Sequence, residues 1–226
     1  MPKSGLRGAL SLSAGLIALC CATMLPAADE EISPDKINEG ELHFLPEAPA
    51  RPPHLQSSHI AITDDSLKTG WIRMKQCHHR LGPTPALQVV FHRGRVRNLQ
   101  ILDTQNVGRA WIEGSTVQLT EVGKDAVLCI LSENRSLRRN ELTGEYEWHG
   151  GPYMRRFFDG YFPMLVQITI DYPVNALRVR TIAPPPMRLR AVDSPGQLRM
   201  DALFEGRLDV YVNFTPLDVS PGIGWN

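Results

Sequence analysis

The segment from Trp148 to Met164 combines aromatic and arginine side chains at an unusual density. It holds six of the chain's sixteen Phe, Trp and Tyr residues within fifteen positions. Tyr, Trp and Arg are strong anchors when a partner removes them from water, and arginine binds carboxylate or phosphate in fork geometry. We therefore predict a binding surface for a protein, a glycan or an anionic small molecule. Its candidate residues are Trp148, Tyr153, Arg155, Arg156, Phe158, Asp159 and Tyr161.

A short helix over residues 152–159 is the element predicted to position these side chains. Pro152 suits a first helical position, and Gly160 suits the position after a helix end. A second interpretation of the segment is structural: the helix closes one end of the fold, its aromatic face lies in the core, and the arginines are solvated or paired with Asp159. The residues on that shared helical face are Met154, Phe157, Phe158 and Tyr161.

Cysteine and histidine cluster at Cys77, His78 and His79, with His92 downstream. Both residue types are common metal ligands. On a strand, however, His78 and His79 point to opposite faces. A regular hairpin closing at Gly82–Pro85 would also keep His79 and His92 apart. We therefore predict no metal site and no cofactor.

Carboxylates that lie close together in sequence provide the alternative of a secreted hydrolase, because glycoside hydrolysis uses two carboxyl groups a few ångströms apart. The chain contains no GxSxG, HExxH, CxxC, phosphate-loop or dinucleotide-binding motif. We therefore favour a non-catalytic protein. The carboxylate pairs that would serve the alternative are Asp64 with Asp65, Glu145 with Glu147, and Asp159 with Asp171.

The first 28 residues have the three-part pattern of a secretory signal peptide. Lys3 and Arg7 precede an uncharged, mostly apolar run, and small residues at its end allow cleavage after Ala28 or, alternatively, Ala22. We predict a secreted or periplasmic protein with no transmembrane segment in the mature chain. Removing residues 1–28 leaves 22 basic and 24 acidic residues, a nearly neutral balance that gives no basis for nucleic-acid binding.

Signal cleavage would leave two cysteines, Cys77 and Cys129. Thiols in an oxidising compartment tend to pair, so we predict one disulfide between them. Two free buried thiols are the alternative. If the disulfide forms, it closes a loop of about fifty residues and stabilises the fold by roughly 4 kcal/mol.

Composition and periodicity divide the rest of the chain into three parts. Residues 29–56 contain five prolines and no regular apolar period, so they are predicted to form an extended lead-in. Residues 57–216 show repeated period-two alternation, most clearly over 164–172 and 208–215, which is typical of strands. Residues 217–226 are predicted to be a C-terminal tail.

Turn-forming residues lie between several of these apolar runs. The turns are predicted to close hairpins, and the fold class is therefore all-β: an antiparallel β-sandwich, or a barrel-like variant, as one domain with the short helix at 152–159. The predicted function is an exported binding or accessory module. A structural subunit of a cell-envelope complex is a further alternative. The four predicted hairpin turns are Gly82–Pro85, Arg93–Arg95, Gly123–Asp125 and Tyr172–Asn175.

Overall fold

The computed structural model describes residues 39–158 and 160–217. The predicted signal peptide, Asp159 and all but the first residue of the predicted tail lie outside the described residues. Strands are the main secondary structure of the described chain, as its alternating β-branched and aromatic residues predict. Its elements are β1 His43–Phe44, β2 His54–Ala61, α1 Asp64–Thr69, β3 Trp71–Leu81, β4 Thr84–Val90, β5 Val96–Glu113, β6 Thr116–Arg135, β7 Leu137–Arg139, β8 Tyr146–Tyr153, β9 Arg156–Phe157, β10 Gly160–Tyr161, β11 Met164–Asp171, β12 Leu177–Ala183, β13 Val192–Ser194, β14 Gln197–Glu205 and β15 Leu208–Pro216.

Two sheets form the body of the fold. The main sheet runs β1-β14-β11-β2-β3-β6-β4, with β13 paired to β14 and β5 paired to β6. The second sheet runs β12-β15-β8-β7, while β9 and β10 pair only with each other. The pairing of β2 with β11 is parallel, whereas the other strand pairs of the described chain are antiparallel.

The core lies between the two sheets. Alternate residues of β11 and β14 from the main sheet share one buried cluster with alternate residues of β15 and with Trp148 of β8. This arrangement confirms the predicted all-β sandwich, because the period-two apolar faces are buried against each other. A second apolar cluster lies around β4, β5 and β6, including Leu119 and Leu128.

The prediction of four hairpin turns is wrong, because none of the four segments joins two strands that pair with each other. The chain at Gly82–Pro83 continues along the same partner, because Leu81 lies opposite Ala126 of β6 and Thr84 lies opposite Val122. Gly123–Asp125 lies inside β6, where Asp125 adopts a left-handed φ of 54°. The other two predicted turns connect strands that do not pair with each other. Turn residues here mark irregularities in long strands as well as reversals.

The predicted helix at 152–159 is also wrong. Pro152 lies in β8, and Tyr153 is paired with Leu208 of β15. The backbone N–H of Phe162 donates to the carbonyl of Arg155 at 2.9 Å. An eight-residue helix has little stability of its own, and cross-strand hydrogen bonds satisfy this backbone instead.

The helix of the described chain is α1, which precedes β3. Thr63 caps its first turn through a reciprocal capping box with Ser66. Gly70 ends it in the left-handed conformation with φ 76°. These are ordinary start and stop signals, and Asp64 and Asp65 occupy the acidic first turn.

The described part of the predicted lead-in includes β1 and the first three residues of β2. His43 and Phe44 pair with Glu205 and Phe204 of β14. Within residues 39–158 and 160–217 there is no helix long and apolar enough to cross a membrane.

Candidate functional site

The most exposed aromatic side chains lie on a small hairpin formed by β9, Phe158 and β10, which we call the aromatic hairpin. Phe157 is 50% exposed and Phe158 is 83% exposed. Their rings meet edge to face with centroids 4.5 Å apart. Phe158 also has a left-handed φ of 51°, which bulky residues rarely adopt outside functional or over-determined positions.

The predicted binding residues divide between the core and this hairpin. Trp148 is 2% exposed and Tyr153 is 6% exposed, so the structure assigns both to the core. Burial raises the pKa of Tyr153, whose side chain hydrogen-bonds with Ser58. Arg156 lies over the ring of Tyr161, with Cζ 5.9 Å from the ring centroid.

Arg155 is only partly exposed and lies over the ring of Phe162, with Cζ 5.9 Å from the ring centroid. Asp159, the remaining predicted residue, lies outside the described part of the chain. The structure therefore brings only part of the predicted surface together.

A hydrogen-bonded relay of buried side chains crosses the inner face of β2 and β3. The Nε2 atom of His54 lies 3.0 Å from Nδ1 of His78, and the Nε2 atom of Gln76 lies 2.6 Å from Nε2 of His78. The two imidazole rings are stacked with centroids 5.1 Å apart. Each of the three side chains is at least nine-tenths buried. The relay ends at Nδ1 of His54, which has no hydrogen-bond partner within the described structure.

Both histidines of the relay are held neutral. Burial lowers the pKa of His78 to about 4, and nearby His79 adds to the shift. Burial lowers the pKa of His54 to about 2, with further contributions from His78, Arg155 and Arg80. Because the two rings share one hydrogen bond, one ring must donate and the other must accept.

The outer face of the main sheet carries a polar concavity of about 500 Å³. His59 contacts Asp171 with Nε2 2.5 Å from Oδ2, while Gln197 donates to Oδ1 of the same carboxylate at 2.8 Å. Hydrogen bonds from Gln197 and His59 lower the pKa of Asp171, outweighing the opposing effect of its partial burial. The lining side chains include Ser57, His59, Lys75, Gln167, Thr169 and Arg199.

The disulfide lies at this concavity rather than between the sheets. Cys77 and Cys129 are direct partners in the register of β3 and β6, with Cα atoms 4.1 Å apart. The predicted bridge is therefore confirmed. Cys77 lines the concavity beside Ser57, its partner on β2.

Two of the carboxylates considered for hydrolysis, Glu145 and Asp171, are engaged in structural contacts. Glu145 and Glu147 line a cavity of about 170 Å³, but Glu145 forms an ion pair with Arg180. Asp171 is bound to His59 and Gln197 as described above. The carboxylates of Glu145 and Asp171 therefore bind neighbouring side chains.

The hairpin from which the separation of His79 and His92 was predicted does not form. Strands β3 and β4 do not pair, and Nδ1 of His92 lies 2.7 Å from the carbonyl oxygen of Arg93 in an exposed loop. Within the described residues, no group of three or more His, Cys, Asp or Glu side chains could hold one metal ion.

Sequence reasoning missed the contact between His54 and His78. Period two places His54, Gln56 and Ser58 on one face of β2, so the polar face itself was visible. The missing information was the register, which places Gln56 opposite His78.

No known protein family matches the chain, and no curated protein matches it. Among solved structures, an M1 zinc metallopeptidase from Deinococcus radiodurans is 11% identical with a TM-score of 0.35, over 79% of this chain and 43% of that chain. A mutant of that peptidase bound to a Tyr-Ser-Ala substrate is 10% identical with a TM-score of 0.36, over the same shares. The chain thus spans less than half the length of these structures, and a likeness at this level carries no information on activity.

Proposed function

We propose that this protein is an exported, non-catalytic binding module whose partner docks on the aromatic hairpin. The observation that supports the proposal is the exposure of two adjacent phenylalanines, Phe157 and Phe158, on a hydrogen-bonded hairpin. Exposed aromatic side chains in contact with each other are costly to keep in water and contribute strongly when a partner buries them.

The chemistry of the hairpin favours a protein partner with an apolar pocket. Burying one phenylalanine contributes about 1.5–3 kcal/mol. The pairing of β9 with β10 holds the backbone of Phe157, which lowers the cost of ordering that ring on binding, and Phe158 follows directly after β9. Arg156 precedes Phe157 in the chain, is exposed, lies over the ring of Tyr161 and adds a positive charge for an acidic rim around such a pocket.

Replacing both rings tests this proposal. For Phe157→Ala/Phe158→Ala in the full exported chain, we expect the partner recovered with the tagged protein to fall at least tenfold, because hot-spot aromatics typically contribute 2 kcal/mol or more. Urea unfolding should change by less than about 0.5 kcal/mol, since both side chains are largely exposed. Quantitative mass spectrometry of the co-purified proteins is the measurement.

A matched control uses another exposed apolar side chain. Leu142 is 97% exposed in the loop between β7 and β8. Leu142→Ala should leave partner recovery unchanged. Equal recovery by the double variant and the wild type would overturn the proposal, as would an equal loss in Leu142→Ala.

A further inference from the structure

Basic side chains gather where the relay ends, at the start of β2 and the end of β3. Nε of Arg80 donates to the carbonyl of Pro53 at 2.7 Å, which holds Arg80 beside the residue that precedes His54. A β-carbon on Gly82 would lie 3.2 Å from Nη2 of Arg155, so the guanidinium of Arg155 contacts this same end of β3. We call Arg51, His54, His79, Arg80 and Arg155 the basic cluster.

The members of the basic cluster are close enough to affect each other's charge. His54 feels the positive charge of Arg155 and Arg80, and Arg155 feels that of Arg51. Burial, followed by Arg51, lowers the pKa of Arg155. Because His54 is neutral, the crowded charges are those of the arginines, and their crowding is unfavourable unless an anion relieves it.

The described structure contains no carboxylate that relieves it. Three arginines elsewhere in the described fold do have acidic partners: Arg97 pairs with Glu133, Arg180 with Glu145 and Arg190 with Asp201. Within residues 39–158 and 160–217, no ion pair involves Arg51, Arg80 or Arg155.

The unpartnered nitrogen of His54 is a second, independent feature of this place. A buried polar atom without a partner is unfavourable, because it has lost its hydrogen bonds to water and gained none in the protein. If the amide N–H of Gln76 donates to His78, then Nδ1–H of His78 donates to Nε2 of His54. The remaining proton of His54 then lies on Nδ1, where it is a free donor.

We propose that the basic cluster binds the phosphate group of a small ligand, with Arg80, Arg155 and Nδ1–H of His54 as donors. A phosphate dianion matches several cationic groups and offers more acceptor oxygens than a carboxylate. Arg80 adopts a left-handed φ of 58° where β3 is irregular, so the backbone places this side chain out of regular alternation. In this arrangement His78 is a positioning residue, because it orients the proton on His54.

Calorimetric titration of the full exported chain with inorganic phosphate tests the site. Chloride at matched ionic strength provides the reference for non-specific charge effects. We expect saturable binding, weakened about tenfold to a hundredfold by Arg155→Gln or Arg80→Gln, since hydrogen bonds to charged groups contribute about 1.5–3 kcal/mol. Arg93→Gln, which removes an exposed arginine outside the cluster, should bind like the wild type.

Nitrogen NMR of the imidazoles measures the Nδ1 resonance of His54, which a general charge effect would leave unchanged. Phosphate should shift the Nδ1 resonance of His54, and His78→Phe should weaken binding while removing the preferred tautomer of His54. Titration with glucose 6-phosphate distinguishes a site for phosphate esters, which would bind more tightly, from a site for free phosphate.

Absence of saturable binding by the folded wild type would overturn the inference. So would equal losses in Arg155→Gln and Arg93→Gln, or a His54 resonance that does not respond to phosphate. The inference does not depend on the aromatic hairpin: Phe157→Ala/Phe158→Ala should keep full phosphate binding even where partner recovery is lost.

Discussion

The free energy of unfolding is expected to fall by several kcal/mol as the pH drops from 6.5 to about 4.5. The cause is the relay, in which the pKa of His54 is lowered to about 2 and that of His78 to about 4, chiefly by burial. In the unfolded chain both groups titrate near 6.5. Below that pH the unfolded state therefore binds more protons than the folded state, and acid favours unfolding.

The sign and window of this effect follow from the two pKa values. The contribution of neutral His54 and His78 is present in full above pH 6.5 and is lost as the pH falls toward their folded-state values. Each group contributes up to about 1.4 kcal/mol per pH unit. The positive charges of Arg155 and Arg80 disfavour protonation of His54 further.

Urea unfolding at pH 7.5, 6.5, 5.5 and 4.5 measures this dependence. The interval from 6.5 to 5.5 is the most informative, because ordinary Asp and Glu side chains titrate below it. His54→Gln/His78→Gln should flatten the slope in that interval, whereas His92→Gln, at an exposed loop position, should retain it. A slope that is the same in the double variant and the wild type would contradict the prediction.

Loss of the disulfide is expected to lower the free energy of unfolding by about 4 kcal/mol. Cys77 and Cys129 are separated by 52 residues, and a loop of this length restricts the unfolded chain by about that amount in the chain-entropy model. The effect is large because a domain of ordinary size is stable by only about 5–15 kcal/mol. Cys77→Ala/Cys129→Ala compared with the oxidised wild type in urea is the measurement.

The position of the bridge predicts a local effect as well. Cys77 lies between Gln76 and His78 of the relay, and its bridge ties β3 to β6. Backbone amides of these residues should exchange hydrogen faster in the double variant than in the wild type. Reduced wild type serves as the control, since it lacks the bond but keeps the sequence. A stability loss below about 1 kcal/mol would show that packing of β3 against β6 already supplies the constraint.

The strands were the most predictable part of this protein. Alternation over 164–172 and 208–215 identified the strands observed at Met164–Asp171 and Leu208–Pro216, because a half-buried strand requires period two whatever its partners are. The cysteine pair was predictable because the two thiols left after the predicted signal cleavage have one obvious partner each. The location of the disulfide on the outer face of the main sheet was not predictable, since it depends on which face of β3 packs against the second sheet.

The helix prediction at 152–159 failed for a reason that lies outside the segment. Proline and glycine at its ends are compatible with both a helix and a hairpin. Pairing of Tyr153 with Leu208 and of Gly160 with Phe157 decided in favour of strands. The local preference of eight residues is weak compared with such tertiary contacts.

Sequence alone determined the fold class, the disulfide partners and the density of aromatic and arginine side chains in one segment. These properties depend on residue types and their local period. Tertiary structure decided which aromatics are exposed, burying Trp148 and Tyr153 while leaving Phe157 and Phe158 in solvent. It also decided that His54 meets His78 beside Arg80 and Arg155, because strand register and bulges bring distant residues together and leave no trace in local periodicity.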